Sequence, residues 1–107
     1  GISANSIIYS AMDDFSGNFM VGPEVPNNLT NITGGKVIIS KFAQIGVSNV
    51  IFPNIMVGEG AATGAMSLIK ENLKEWNIYV GIPAKLLKAR NKNIKLLEKK
   101  VNEPNKI

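Results

Sequence analysis

From Ile39 onward, every sixth position carries the same kind of residue: Ile39, Ile45, Ile51, Val57, Thr63 and Ile69. A helix returns to its buried face after about 3.6 residues and a strand after two, so neither alone sustains a strict period of six. A short strand followed by a tight turn does, when three such units close one coil of a solenoid. The aliphatic residue of each unit then points inward and stacks on its counterpart about 4.8 Å along the axis. Ala43, Asn49, Ala61 and Ser67 fall two residues before the next inward position, with Ile55 a larger exception. Small residues suit corners where backbone passes close to backbone. Gly46, Gly58 and Gly64 each follow an inward residue, and glycine is expected to supply positive φ where the turns demand it. Thr63 departs from the pattern and is expected near a coil end, or with its hydroxyl bonded to backbone. Phe52 falls at a corner, where a bulky residue is expected to face a partner subunit. The spacing predicts an all-β chain, a parallel β-helix of hexapeptide repeats.

The remaining segments arrange themselves around that repeat as one domain over 1–107. Ile2 and Ile8 are also six apart, so 1–9 reads as part of an earlier coil. Residues 10–35 are rich in Gly, Asn and Pro and include Asp13-Asp14, which reads as an excursion loop. A loop this long in a small domain is usually functional. Residues 36–81 hold the hexad coils and a last strand. Pro83 is well placed as a first helical residue, and Leu86, Leu87, Ile94, Leu97 and Val101 share a helical stripe, which predicts a C-terminal α-helix over 82–103. Such a helix would cap the open end of the coil, whose unpaired edge otherwise invites association. The opening Gly1-Ile2-Ser3, inside an apolar pattern, reads as a chain truncated at its N-terminus. About two coils and a fragment lie near the lower limit for a solenoid, so a homotrimer is expected.

Composition removes whole classes of chemistry. Among 107 residues there is no cysteine and no histidine. Disulfides, thiolate nucleophiles, an internal Ser-His-Asp triad and zinc sites built on imidazole or thiolate are therefore excluded, and no metal is expected. The net charge of +4 is uneven: residues 1–84 carry four Lys against six acids, and 85–107 carry eight Lys or Arg against Glu98 and Glu103. A basic segment attracts phosphates. Only 7% of residues are aromatic, too few near that segment for a single-strand stacking platform, so nucleic acid is not an expected partner. No stretch of about 18 apolar residues occurs, and the N-terminus lacks the basic start and apolar core of a secretory signal, which predicts a cytoplasmic protein without a transmembrane segment.

The stretches "QIGVSNVIFPNIMVGEGAATGAMSLI" and "NIYVGIPAKLLK" resemble the C-terminal half of the bacterial hexapeptide-repeat acyltransferases, in particular sugar O- and N-acetyltransferases such as galactoside acetyltransferase. "IYSAMDDFSG" resembles a segment of acetyltransferases from surface-polysaccharide clusters. The resemblance covers residues 1 to about 90. It implies a left-handed β-helix, a trimer, and acetyl-CoA lying in the groove between subunits as acyl donor to a hydroxyl or amine of a small sugar acceptor. By position it implies pantetheine contacts at Val47, Ala65, Lys70 and Glu71, and contacts to the adenosine phosphates at Lys85 and Lys88. Lys lacks the bidentate fork of Arg, so such phosphate contacts are modest ones. Galactoside-type relatives place a base histidine in the loop after the first apolar coil; this sequence has Asp13 and Asp14 there. These aspartates admit three roles: general base with one pKa raised by the adjacent carboxylate, hydrogen-bond partner of the sugar, or solvated turn. A non-catalytic trimeric scaffold is the alternative to the enzyme.

Overall fold

In the computed structural model, which describes residues 1–102, residues eighteen apart lie side by side as parallel partners. Three hexads thus close one coil, and the coil has three short-stranded sides. On one side β1 (Ile7–Ile8), β5 (Val50–Ile51) and β8 (Leu68–Ile69) stack in that order, with Ile8, Ile51 and Ile69 in register. On the second, β4 (Ile38–Ile39) pairs with β6 (Met56–Val57), and Val57 bridges onward to Leu73. On the third, Ile2 bridges to Ile45, Gln44 bridges to β7 (Ala62–Thr63), and β7 pairs with β9 (Asn77–Gly81).

The period of six delivers the interior it promises. Ile45, Ile51, Val57 and Ile69 are at most 1% exposed and, with Leu73 and Tyr79, form one core cluster fed from all three sides. Burying each such aliphatic side chain is worth about 1.5–3 kcal/mol. Thr63 occupies its inward place because its hydroxyl accepts a hydrogen bond from the Gly46 amide at 3.0 Å. Phe52 is half-buried and packs against the chain's own core.

The glycines act differently from expectation. Gly46, Gly58 and Gly64 are not at positive φ. A Cβ at Gly46 would lie 2.7 Å from the Thr63 carbonyl oxygen, at Gly58 2.9 Å from the Leu73 carbonyl oxygen, and at Gly64 2.7 Å from a Val80 methyl. They are required by the closeness of successive coils. The left-handed corner positions are instead Asn5, Ser48 and Met66 in one column and Phe42, Gly60 and Trp76 in another, with Asn54 at the third corner.

Residues 10–35 leave the coil as an arm. Its base is closed by β2 (Ala11–Met12) pairing antiparallel with β3 (Thr33–Gly34), and a single 3-10 turn spans Asn27–Leu29. The chain then resumes the coil at β4.

The helix expected over 82–103 is confined to α1 (Asn93–Val101); its last expected position lies outside the described residues. Residues Ala84–Ala89 form β10, antiparallel to β9. The unpaired outer edge of β9 supplies a row of backbone donors and acceptors, and satisfying it outweighs the helical preference of Leu86, Leu87 and Lys88. The edge is therefore covered by a strand. The helix lies beside the Phe42–Trp76 corner, where Glu98 pairs with Lys41 at 3.2 Å and Lys95 approaches Glu59 at 3.9 Å. The Asn91 side chain accepts from the Asn93 amide where α1 begins.

Candidate functional site

The last coil is two residues shorter than the others: Val57 meets Leu73, and Ala62 meets Ile78. The shortening brings the turn after β8 close to the turn of the β9–β10 hairpin. Between them lies a cavity of about 90 Å³ lined by Lys70, Glu71 and Lys85, with Ile69, Leu73 and Pro83 beneath. Three of the expected donor-binding residues therefore meet at one place, with two cations and one carboxylate around a small apolar floor. That is a charge arrangement suited to an anionic group.

Across the hairpin turn lies a second hollow, of about 250 Å³, lined by Val50, Met66, Leu68 and Ile82 with Ser48 and Ser67. Val47 and Ala65 flank it as neighbours on the same corner, where the Met66 amide donates to the Val47 carbonyl at 2.8 Å. Ile82 lines this hollow and Pro83 the first, so the Gly81–Ala84 turn separates two adjoining depressions, one apolar and one charged. Lys88 stands opposite Ile78 on β10 and lines neither.

The two aspartates go different ways. Asp13 is half-buried and lines a hollow with Tyr9, Ala11, Met12 and Phe15. Asp14 is a joint of the arm: its carboxylate accepts from the Ser16 amide at 2.7 Å and from the Asn31 side-chain amide at 2.9 Å. Hydrogen bonds from the Ser16 side chain and backbone, then from Asn31, hold its pKa below the ordinary carboxylate value. The expected upward push from an adjacent carboxylate is therefore absent at Asp14, because donors surround the charged form. Such a group is a poor proton acceptor.

Sequence reasoning missed Arg90, counting it only as one more cation of the basic segment. Its guanidinium donates from one nitrogen to the carbonyls of Phe42 and Gly60, at 2.8 and 2.9 Å, and from the other to Gln44 at 2.8 Å. Its own amide donates to the Trp76 carbonyl at 2.8 Å. Phe42, Gly60 and Trp76 form one corner column, so Arg90 ties successive coils together. The signal available was that this is the single arginine among many lysines, at a place that needs a planar, multi-donor fork. Among the described residues, no group of three His, Cys, Asp or Glu residues is placed to hold a metal ion, and no helix is long and apolar enough to cross a membrane.

No family model matches the chain. It is 42% identical over 97 residues to a dTDP-4-amino-4,6-dideoxy-D-glucose acyltransferase of Escherichia coli, a match covering 91% of this chain and 50% of the relative. It is 29% identical over 80 residues to a putative lipopolysaccharide biosynthesis O-acetyl transferase, WbbJ, of Escherichia coli strain K12, covering 75% of this chain and 41% of that one. Among solved structures, AntD, an N-acyltransferase from Bacillus cereus crystallised with dTDP and 3-hydroxybutyryl-CoA, superposes with a TM-score of 0.90 at 50% identity, over 94% of this chain and 53% of AntD. The chain spans about half the length of the curated relatives it matches.

Proposed function

We propose that this chain, a relative of the sugar acyltransferases of the hexapeptide-repeat family, supplies the donor-binding part of an enzyme that moves an acyl group from acyl-CoA to the amine of a nucleotide-linked sugar. The observation that carries the reading is the 50% identity, over nearly the whole chain, to an N-acyltransferase crystallised with both dTDP and an acyl-CoA. Acetyl-CoA is the simplest donor of this class. The coil is left-handed in this reading, the compartment is the cytoplasm, where acyl-CoA is available, and the product serves surface-polysaccharide assembly.

The donor lies along the two depressions beside the hairpin turn. The apolar hollow near Val47 and Ala65 takes the pantetheine arm, with backbone groups of the corner as partners. Lys85, at the charged cavity, meets phosphate oxygens, with Lys88 further along β10; Lys70 and Glu71, which line the same cavity, meet the pantetheine end where it enters. The amine nitrogen attacks the thioester carbonyl, the C–N bond forms, the C–S bond breaks, and the thiolate leaves with CoA. The amine's surplus proton must go to an acceptor, and an amine needs a weaker one than a hydroxyl does.

Asp13 is that acceptor in this reading, with Asp14 shaping the arm that carries it. Crystal structures of AntD include substitutions at a serine and at an aspartate ten positions further on. Ser3 and Asp13 are the one Ser–Asp pair at that spacing in this chain, which supports giving them corresponding places. Within a single chain they line different hollows, Ser3 beside Gln44 and Thr63 and Asp13 beside Tyr9. A homotrimer with its site between neighbours reconciles them, and the exposed Val47, Met56, Met66 and Ile82 supply apolar surface for such contacts.

Calorimetric titration of the purified chain with CoA tests the donor reading. Binding is expected, weakened about tenfold by Lys85→Ala at unchanged thermal stability, as for loss of one charged phosphate contact. No heat at millimolar CoA overturns it. Release of free thiol from acetyl-CoA, dependent on a dTDP-linked amino sugar and abolished by Asp13→Asn, is expected of the complete enzyme.

A further inference from the structure

We propose that the buried side chains of Asn49 and Ser67, together with Ser6, are positioning residues for the acyl donor. They hold the Gly46 and Gly64 carbonyls to themselves and so turn the amides of Val47 and Ala65 outward, toward the pantetheine arm. The inference rests on the reading that the donor passes this corner. Ser6, Asn49 and Ser67 occupy one hexad position on successive coils, each immediately before a strand of the β1–β5–β8 side. On the other two sides that position holds Ala43 and Ala61, or Ile55, which have no polar side chain to offer. The coil therefore closes without polar groups at this place. Asn49 and Ser67 are nevertheless polar and at most 2% exposed. Asn49 even leaves its Oδ1 buried with no hydrogen-bond partner among the described residues, a free-energy cost that alanine there would avoid.

The column grips two carbonyls. The Ser6 hydroxyl donates to the Gly46 carbonyl on the next coil at 3.0 Å. The Asn49 Nδ2 donates to the Gly64 carbonyl, again on the next coil, at 2.9 Å, and the Ser67 hydroxyl donates to that same oxygen at 3.0 Å. Nδ2 also donates to the Val47 carbonyl at 3.2 Å; both of its partners can only accept, so the nitrogen must face them. Among the described residues, neither glycine carbonyl accepts from a backbone amide, so side chains supply all of their hydrogen bonds. A peptide group is planar and trans, so a carbonyl held toward the column aims the following N–H the opposite way. Those N–H groups belong to Val47 and Ala65, which are exposed and donate to nothing among the described residues. Successive coils lie about 4.8 Å apart. The two amide carbonyls of a pantetheine arm are separated by four bonds, about 5 Å when extended, and an even number of bonds leaves both on one side. Two outward amides on neighbouring coils match that pair.

Calorimetry with CoA and with adenosine 3′,5′-bisphosphate, which lacks the arm, tests this alongside amide NMR shifts. Asn49→Ala combined with Ser67→Ala is expected to weaken CoA binding about tenfold and to leave the bisphosphate unaffected. CoA is expected to shift the Val47 and Ala65 amides of the unaltered chain. In the double variant the Ala65 shift is lost, while Val47, still served by Ser6, keeps its own. In the Ser67→Ala background, Asn49→Ser is expected to recover the affinity that Asn49→Ala loses, because it supplies the hydroxyl that Ser6 already uses toward the next coil. Unchanged CoA affinity in the double variant, an equal loss of both ligands, or an Ala65 amide that still shifts overturns the inference. If the double variant does not fold, Asn49→Ala alone is judged by the ratio of its two affinities. Where the bisphosphate binds too weakly to titrate, the Ala65 shift decides. An unaltered chain that binds neither ligand overturns the donor reading, and the inference with it.

Discussion

Asp14 joins the two ends of the arm's base, with Ser16 on its own side and Asn31 seventeen residues on. A carboxylate whose pKa is lowered by donors stabilises the structure that supplies them, but only while it is ionised. That contribution is complete above the ordinary value of 3.8 and is lost as pH falls through the lowered one. The arm is therefore expected to loosen below about pH 4, as faster amide exchange over 13–34. Asp14→Asn should show that looseness already at neutral pH and lose the acid transition. An arm whose exchange is equally slow in Asp14→Asn would remove this role. At the same scale, the inward aliphatics and Thr63 were legible, because burial imposes a period that composition displays. The glycines were legible as a pattern and misread in cause. A spacing of six reveals that a small residue is needed; it does not reveal whether the need is a backbone dihedral or a carbonyl 2.7 Å away on the next coil.

β9 closes the last coil through Tyr79, which is 9% exposed and whose hydroxyl accepts from the Lys74 amide at 2.9 Å. That bond ties the strand to the shortened turn that makes room for the charged cavity. Tyr79→Phe keeps the ring and is expected to cost about 1 kcal/mol in denaturant unfolding, the usual worth of one such bond, with faster exchange confined to the turn after β8. No measurable loss would mean that water replaces the hydroxyl at no cost. β10 shows why this end of the chain was the least legible. Leu86-Leu87-Lys88 has no strand alternation and good helical propensity. What decides its state is the free edge of β9, a partner that local sequence does not display. Arg90 was illegible for a related reason, since its acceptors are the carbonyls of Phe42 and Gly60, backbone groups 48 and 30 residues away.

The described chain extends 62 × 28 × 21 Å, long and narrow for its size. A chain this small buries a modest share of its surface alone, and Ile7, Ile38, Met56 and Met66 remain about half or more exposed on its outer sides. Light scattering of the purified chain is expected to give the mass of three copies; a monomer would contradict the proposed assembly and, with it, a site shared by Ser3 and Asp13. The exposed faces have one more consequence. In the full coil each side recurs after eighteen residues, and the last coil, two residues shorter, still returns to the same sides, so the coil keeps count of its own length to within a turn. Adding or removing a full turn lengthens or shortens the axis and leaves each face looking where it did. Adding six residues instead rotates everything beyond by one side, taking any surface shared with a neighbour out of alignment. Length variation in chains of this design is therefore quantised apart from a residue or two taken up in a turn, as in the last coil, and a longer excess must leave at a corner, as the arm does between Tyr9 and Lys36.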